Sequence, residues 1–113
     1  MRLTWHLAPA ESWTDGAEGY VPRAFADEGF IHCTTGTAAL AATGDRYYRD
    51  DPRPYVALAI DLDHVRARVE VTGPGGIYPH IHGALNRDAI MAVVPLARRE
   101  DGTFVPPEPP SRD

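Results

Sequence analysis

Lysine is missing from this chain: all 11 of its basic residues are arginine. Schiff-base chemistry through a lysine amine is therefore excluded, while rigid guanidinium forks for phosphate or carboxylate are plentiful. Cysteine occurs once, at Cys33, which rules out an intramolecular disulfide and fits a reducing compartment. The only serines are Ser12 and Ser111, neither within GxSxG, so a serine triad has no anchor. HExxH and paired CxxC are also missing, and the Gly73–Gly76 loop lacks the Lys-Ser/Thr ending of a P-loop. Met1 to Leu7 has no apolar core like that of a signal peptide, and no window approaches a membrane span. The expectation is a cytoplasmic protein with no membrane partner.

What remains is an ordinary globular composition, 43% apolar and 24% charged, in 113 residues. That length suits one domain. The 10 glycines and 11 prolines predict many turns and short elements. A net charge of −5 argues against a broad nucleic-acid surface, for which a basic face is the usual footprint. An anionic ligand would need a local arginine cluster.

Leu3, Trp5 and Leu7 alternate with Arg2, Thr4 and His6, the period of a half-buried strand with His6 on its more polar face. Pro9 favours a short helix start, and Pro22 to Asp27 reads as another brief helix stopped by Gly29. Glu28-Gly29-Phe30-Ile31-His32-Cys33-Thr34-Thr35 follows as the organising stretch. Strand alternation sends His32 and Cys33 to opposite faces, which argues against a Cys-His dyad and assigns Cys33 to packing. Thr34 or Thr35 is placed to cap a main helix over Gly36 to Tyr48, with Gly44 as its weak point.

Tyr55 to Asp61 is almost continuously apolar, as a strand covered on both faces would be, and is the candidate sheet centre. Val65 to Val71 alternates with Arg66, Arg68 and Glu70 as a strand. Gly73 to Gly76 forms a hairpin tip or lid, and Pro79 puts the segment Ile77 to Gly83 at an edge or bulge. Ala89 to Leu96 reads as a well-buried strand, and Thr103 to Val105 as a last short pairing. One domain over 1–105 is expected, followed by a disordered Pro-rich tail over 106–113.

The chemistry rests on histidine. An imidazole titrates near neutrality and both donates and accepts hydrogen bonds, so two or three converging in a cleft can grip ribose hydroxyls or move protons. His6, His32, His80 and His82 lie on expected strands, and His64 in a turn. His80-x-His82 also has a spacing a strand could offer to a transition metal, but no metal is expected without a fuller ligand motif. Glu70 lies beside Arg66 and Arg68, where an ion-paired surface residue is the plain alternative to orienting an imidazole or a sugar hydroxyl. Arg23, Arg46 and Arg49 flank the organising stretch and the main helix as candidates for a phosphate clamp.

Trp5-His6-Leu7, the Glu28 to Thr35 stretch, Val69-Glu70 and Tyr78-Pro79-His80-Ile81-His82-Gly83 together resemble the bacterial family called domain of unknown function 952, over about residues 3 to 97. His82 departs from it, since a tyrosine is usual there, and His82 is accordingly not expected to be essential. The resemblance implies an α+β fold of the ADP-ribosyltransferase-like superfamily: a small split antiparallel or mixed β-sheet with a few short helices, whose cleft takes NAD as a co-substrate. It further implies that His6 and His32 orient ribose, with Thr34 beside them, that His80 fills the third motif position, and that Arg23 or Arg46 contacts phosphate. Glu70 stands in for a catalytic glutamate that the third position lacks. Two other classes stay open: a non-catalytic nucleotide-binding or protein-interaction module, and a metal-dependent hydrolase.

Overall fold

A computed structural model describes residues 2–13, 19–22 and 25–109. In chain order the strands are β1 (Leu3–Pro9), β2 (Gly19–Tyr20), β3 (Ile31–His32), β4 (Tyr55–Asp61), β5 (Arg68–Thr72), β6 (Tyr78–His82), β7 (Leu85–Asn86) and β8 (Ile90–Pro95). Helix α1 (Phe25–Glu28) precedes β3, and α2 (Thr37–Tyr48) precedes β4. Three antiparallel assemblies result, β1-β4-β8, β3-β6-β5 and the two-residue ladder β2-β7. The class is α+β with a divided sheet, and every strand pairing among the described residues is antiparallel. Among the described residues no helix is long and apolar enough to cross a membrane.

Strand β4 is the centre its apolar run predicts, with all seven residues buried. Its pleat feeds two cores. Val56, Leu58 and Ile60 pack with Ile31, Cys33, Ile81 and Leu85 of the second sheet and its surroundings, whereas Tyr55, Ala57 and Ala59 pack with Leu40, Ala41 and Phe104 on the helix side. The first sheet is thus sandwiched between α2 and the sheet β3-β6-β5. That burial on both faces corrects the expectation for β1: Thr4 and His6 are as hidden as Trp5 and Leu7, because their side of the strand faces the second sheet rather than water.

Other expectations need revising for similar reasons. Strand β8 is half-buried rather than well buried, with Ile90, Ala92 and Val94 turned inward and Met91 and Val93 exposed, since β8 is an edge. Pro79 sits in the central strand of its sheet, not at an edge. Cys33 donates its N–H to Pro79 O at 3.0 Å, and Pro79 has no N–H to return, so regular pairing of β3 with β6 ends within two residues. Strand β5 begins only at Arg68 because Leu62–His64 form a 3-10 turn closed by Val65.

Helix α1 stops at Gly29 as expected: its N–H reaches Phe25 O at 2.8 Å and its φ is +79°. Helix α2 is capped by Gly36 without a side-chain bond; Thr35 is drawn instead to Thr4, with hydroxyl oxygens 3.0 Å apart. Gly44 is a packing position rather than a weak point, because a Cβ there would lie 2.7 Å from the Phe104 ring. Of the tail expected over 106–113, Pro107 is buried and Pro106, Glu108 and Pro109 are exposed, while 110–113 lie outside the described residues.

Candidate functional site

The site begins where a strand ladder stops. Trp5 and Thr34 exchange both main-chain hydrogen bonds, Trp5 N to Thr34 O at 2.9 Å and Thr34 N to Trp5 O at 2.8 Å. On the other side of Thr34 the chain has already turned to pair with β6 through Cys33 and Ile31. The stretch 31–34 therefore bridges the two sheets and diverges from β1 beyond Trp5. Main-chain groups of alternate strand residues point the same way, so the N–H and C=O of Leu7 face the edge that Trp5 uses for Thr34, with no strand beside them among the described residues. The gap is a cleft of about 490 Å³, a usual size for a small-molecule site.

His6 forms the inner wall. Its Nδ1 lies 2.7 Å from the main-chain oxygen of His32 and its Nε2 lies 3.1 Å from Tyr20 Oη. A carbonyl only accepts, so Nδ1 carries the proton. Burial, with the nearby His32 adding to it, holds the His6 pKa down to about 4 against the hydrogen bond to the His32 carbonyl. The ring is thus neutral at physiological pH, and Nε2 accepts the Tyr20 hydroxyl proton. Burial also raises the Tyr20 phenol to about 12, leaving it a donor to His6 whose oxygen lone pairs remain available.

The mouth carries the charge. His32 points out of its sheet, opposite Cys33, which is buried and whose thiol burial pushes up to about 12. Its Nε2 is hydrogen-bonded to Glu28 Oε2 from the end of α1. Phe30 stands between, edge-on to His32 at 4.6 Å and stacked on His80 at 4.1 Å between ring centres. Thr34 and Thr43 contribute hydroxyls 3.5 Å apart. At the far end Tyr48 and Tyr55 stack at 4.9 Å and Arg53 completes the lining.

The expected site residues divide. His6, His32 and Thr34 line the cleft. His80 sits behind Phe30 rather than in the lining, opposite both His32 and Glu70 in the sheet register; burial and the neighbouring His32 lower its pKa despite Glu70. Glu70 is exposed and lies 3.9 Å from His80 Nδ1 and 3.5 Å from His82 Nε2. The carboxylates in the cleft lining are Glu28, at the His32 end, and Glu11, not Glu70. Arg46 is exposed and outside the lining, Arg49 is spent on Asp101 O at 3.0 Å, and Arg23 lies outside the described residues. The arginine in the cleft lining, among the described residues, is Arg53. Among the described residues no three His, Cys, Asp or Glu side chains converge to hold a metal ion.

Sequence reasoning passed over Tyr20, Glu28, Tyr48 and Arg53. For Glu28 a signal was present, since it opens the organising stretch and precedes His32 by four residues. Tyr20 and Arg53 gave none: Tyr20 lies on a two-residue strand and Arg53 in a loop, and only the tertiary fold decides the position of either.

A family model described as "Protein of unknown function (DUF952)" matches residues 7–93. Two crystal structures of protein CC0527 from Caulobacter crescentus superpose on the chain. One has a TM-score of 0.75 at 18% identity, and a double mutant of the same protein has 0.73 at 19%. Each comparison covers 91% of this chain and 93% of the other, and at that identity the likeness establishes the shared fold. No curated protein matches.

Proposed function

The chain belongs to the DUF952 family, and we propose that its cleft binds NAD or an ADP-ribose-type nucleotide in the manner of an ADP-ribosyltransferase-like protein. The observation that carries this reading is the edge of β1 at Leu7, unpaired among the described residues, beside a buried, neutral His6. An N–H and a C=O on one strand edge complement a primary carboxamide, which presents the opposite pair. Next to that edge the Tyr20 oxygen and the Thr34 and Thr43 hydroxyls offer partners for ribose hydroxyls. A neutral His6 fixes Tyr20 without introducing a positive charge that would oppose a cationic nicotinamide ring.

The same arrangement supports cleavage of the nicotinamide–ribose bond. Nicotinamide departs with the bonding electron pair, and a nucleophile then bonds to the anomeric carbon while passing its proton to a base. The positive charge that develops on the sugar is stabilised by a nearby carboxylate. Glu28, fixed by His32, fills that role in this reading, and its second carboxylate oxygen can take the proton. Titration calorimetry with NAD and ADP-ribose tests the binding: wild type binds one or both, and His6→Ala does not. Absence of binding by wild type overturns the proposal. Because Glu28 is already engaged by His32, a binding-only module is the second reading; nicotinamide release that disappears in Glu28→Gln would exclude it.

A further inference from the structure

The far end of the cleft carries an arginine held in place from behind. Asp51 accepts from Arg53 Nε at 3.1 Å, from its terminal nitrogen NH2 at 2.8 Å and from its main-chain N–H at 3.0 Å. Tyr55 Oη donates to the same carboxylate at 2.7 Å, and Arg98 donates to Arg53 O at 2.9 Å. The hydrogen bonds from Arg53 and Tyr55 hold the Asp51 carboxyl well below its usual range. A buttressed guanidinium of this kind loses little freedom when it binds an anion.

Its other terminal nitrogen, NH1, meets Glu11 at 2.5 Å. Glu11 comes from the 3-10 turn after β1, and its side chain is 66% exposed. An exposed pair of this kind contributes little and is readily exchanged, whereas Asp51 is 22% exposed and fixed from several sides. Both Arg53 and Glu11 line the cleft. Pro9, opposite Tyr55 in the β1–β4 register, is three residues along β1 from His6, about 10 Å at the rise of a strand. A nucleotide whose ribose lies at His6 and Tyr20 can reach this end with its phosphates.

We propose that Arg53 is the phosphate subsite of the cleft and that the Glu11 carboxylate stands in the place a ligand phosphate takes. Binding exchanges one anion for another: Glu11 swings into solvent and the phosphate takes up the NH1 edge of the fork, while Asp51 keeps its grip. This rests on the nucleotide reading for the identity of the ligand, but not for the affinity of Arg53 for phosphate.

Calorimetry with inorganic pyrophosphate and with ADP-ribose, on wild type, Arg53→Gln and Glu11→Gln, tests it. Glu11→Gln removes the competing anion from an exposed position without disturbing Asp51, and tightens both ligands several-fold. Arg53→Gln weakens both by about 10- to 100-fold, the range for loss of a charge-assisted hydrogen bond. Affinities unchanged in Glu11→Gln overturn the exchange, even if Arg53→Gln misfolds. ADP-ribose binding lost in His6→Ala but intact in Arg53→Gln overturns the subsite and leaves the nucleotide reading standing. Arg53-dependent binding of pyrophosphate without any binding of NAD or ADP-ribose does the reverse, and binding of neither probe by wild type overturns both.

Discussion

His6 and His80 are the same side chain on two different sheets, and the protein uses them in opposite ways. His6 is buried, bonded at both nitrogens and neutral. His80 shares a polar sheet face with His32, His82 and Glu70, where the ring is stacked by Phe30 and held by few directed bonds. His82 Nε2 on that face has no hydrogen-bond partner among the described residues, with Glu70 Oε1 the nearest carboxylate oxygen at 3.5 Å. The difference lies in what each strand faces. His6 is locked in a polar pocket between sheets, while the β6 histidines form an adjustable surface around Phe30.

Substitution should separate the two regions most sharply at His6. His6→Ala removes the partner of the buried Tyr20 hydroxyl and of the His32 carbonyl and leaves a cavity between the sheets. A loss of about 4 kcal/mol is expected from those terms together, read by chemical denaturation, along with loss of nucleotide binding. His80→Gln, on the other face, should lose less than about 1 kcal/mol. Equal losses at the two positions would remove the distinction.

The pH dependence follows from the same contrast and is the next largest effect. The unfolded chain protonates His6 near ~6.5, whereas the folded protein resists until about 4. Between those values the unfolded state holds the extra proton, so stability is full above pH 6.5 and falls as the pH drops towards 4, by roughly 3 kcal/mol. Denaturant midpoints measured across that window should slope accordingly in wild type and flatten most in His6→Gln, with only a smaller part of the slope lost in His80→Gln, whose pKa is also lowered.

How much of this was legible beforehand depended on whether local pattern or tertiary placement decided the residue. The β4 run announced a doubly covered strand, and the organising stretch announced opposite faces for His32 and Cys33, because period-2 geometry alone fixes both. Alternation also fixed the side of β1 that carries His6. It did not reveal that this side was buried, since a second sheet hides Thr4 and His6 and that sheet comes from residues 31 to 82. Arg53 shows the same limit: its value comes from Asp51, Tyr55 and Glu11, brought together by a loop and a turn 42 positions apart. Arg46 sat on a well-predicted helix and still faced away from the cleft.

Tyr20→Phe probes the His6 side more gently. It keeps the ring that packs on Trp13 and His6 and removes only the hydroxyl that His6 Nε2 accepts from. A buried acceptor left unpaired should cost about 1–2 kcal/mol, less than His6→Ala because the cavity and the His32 bond are spared. Nucleotide affinity should fall with it if the Tyr20 oxygen also meets the ribose. A stable variant with unaltered affinity would confine Tyr20 to holding His6.

The smallest effect is expected at Glu70, where the resemblance to a catalytic glutamate invited the largest. Its side chain is 52% exposed and its contacts with His80 and His82 are 3.9 and 3.5 Å, too long for strong pairing and open to solvent screening. Glu70→Gln should therefore change stability by no more than about 0.5 kcal/mol and leave nucleotide binding and any nicotinamide release intact. Glu28→Gln should abolish the release, because Glu28 lines the cleft at its His32 end whereas Glu70 lies outside the lining. A reversed outcome, with turnover lost in Glu70→Gln and kept in Glu28→Gln, would place the chemistry on the β6 face and require Phe30 to move aside.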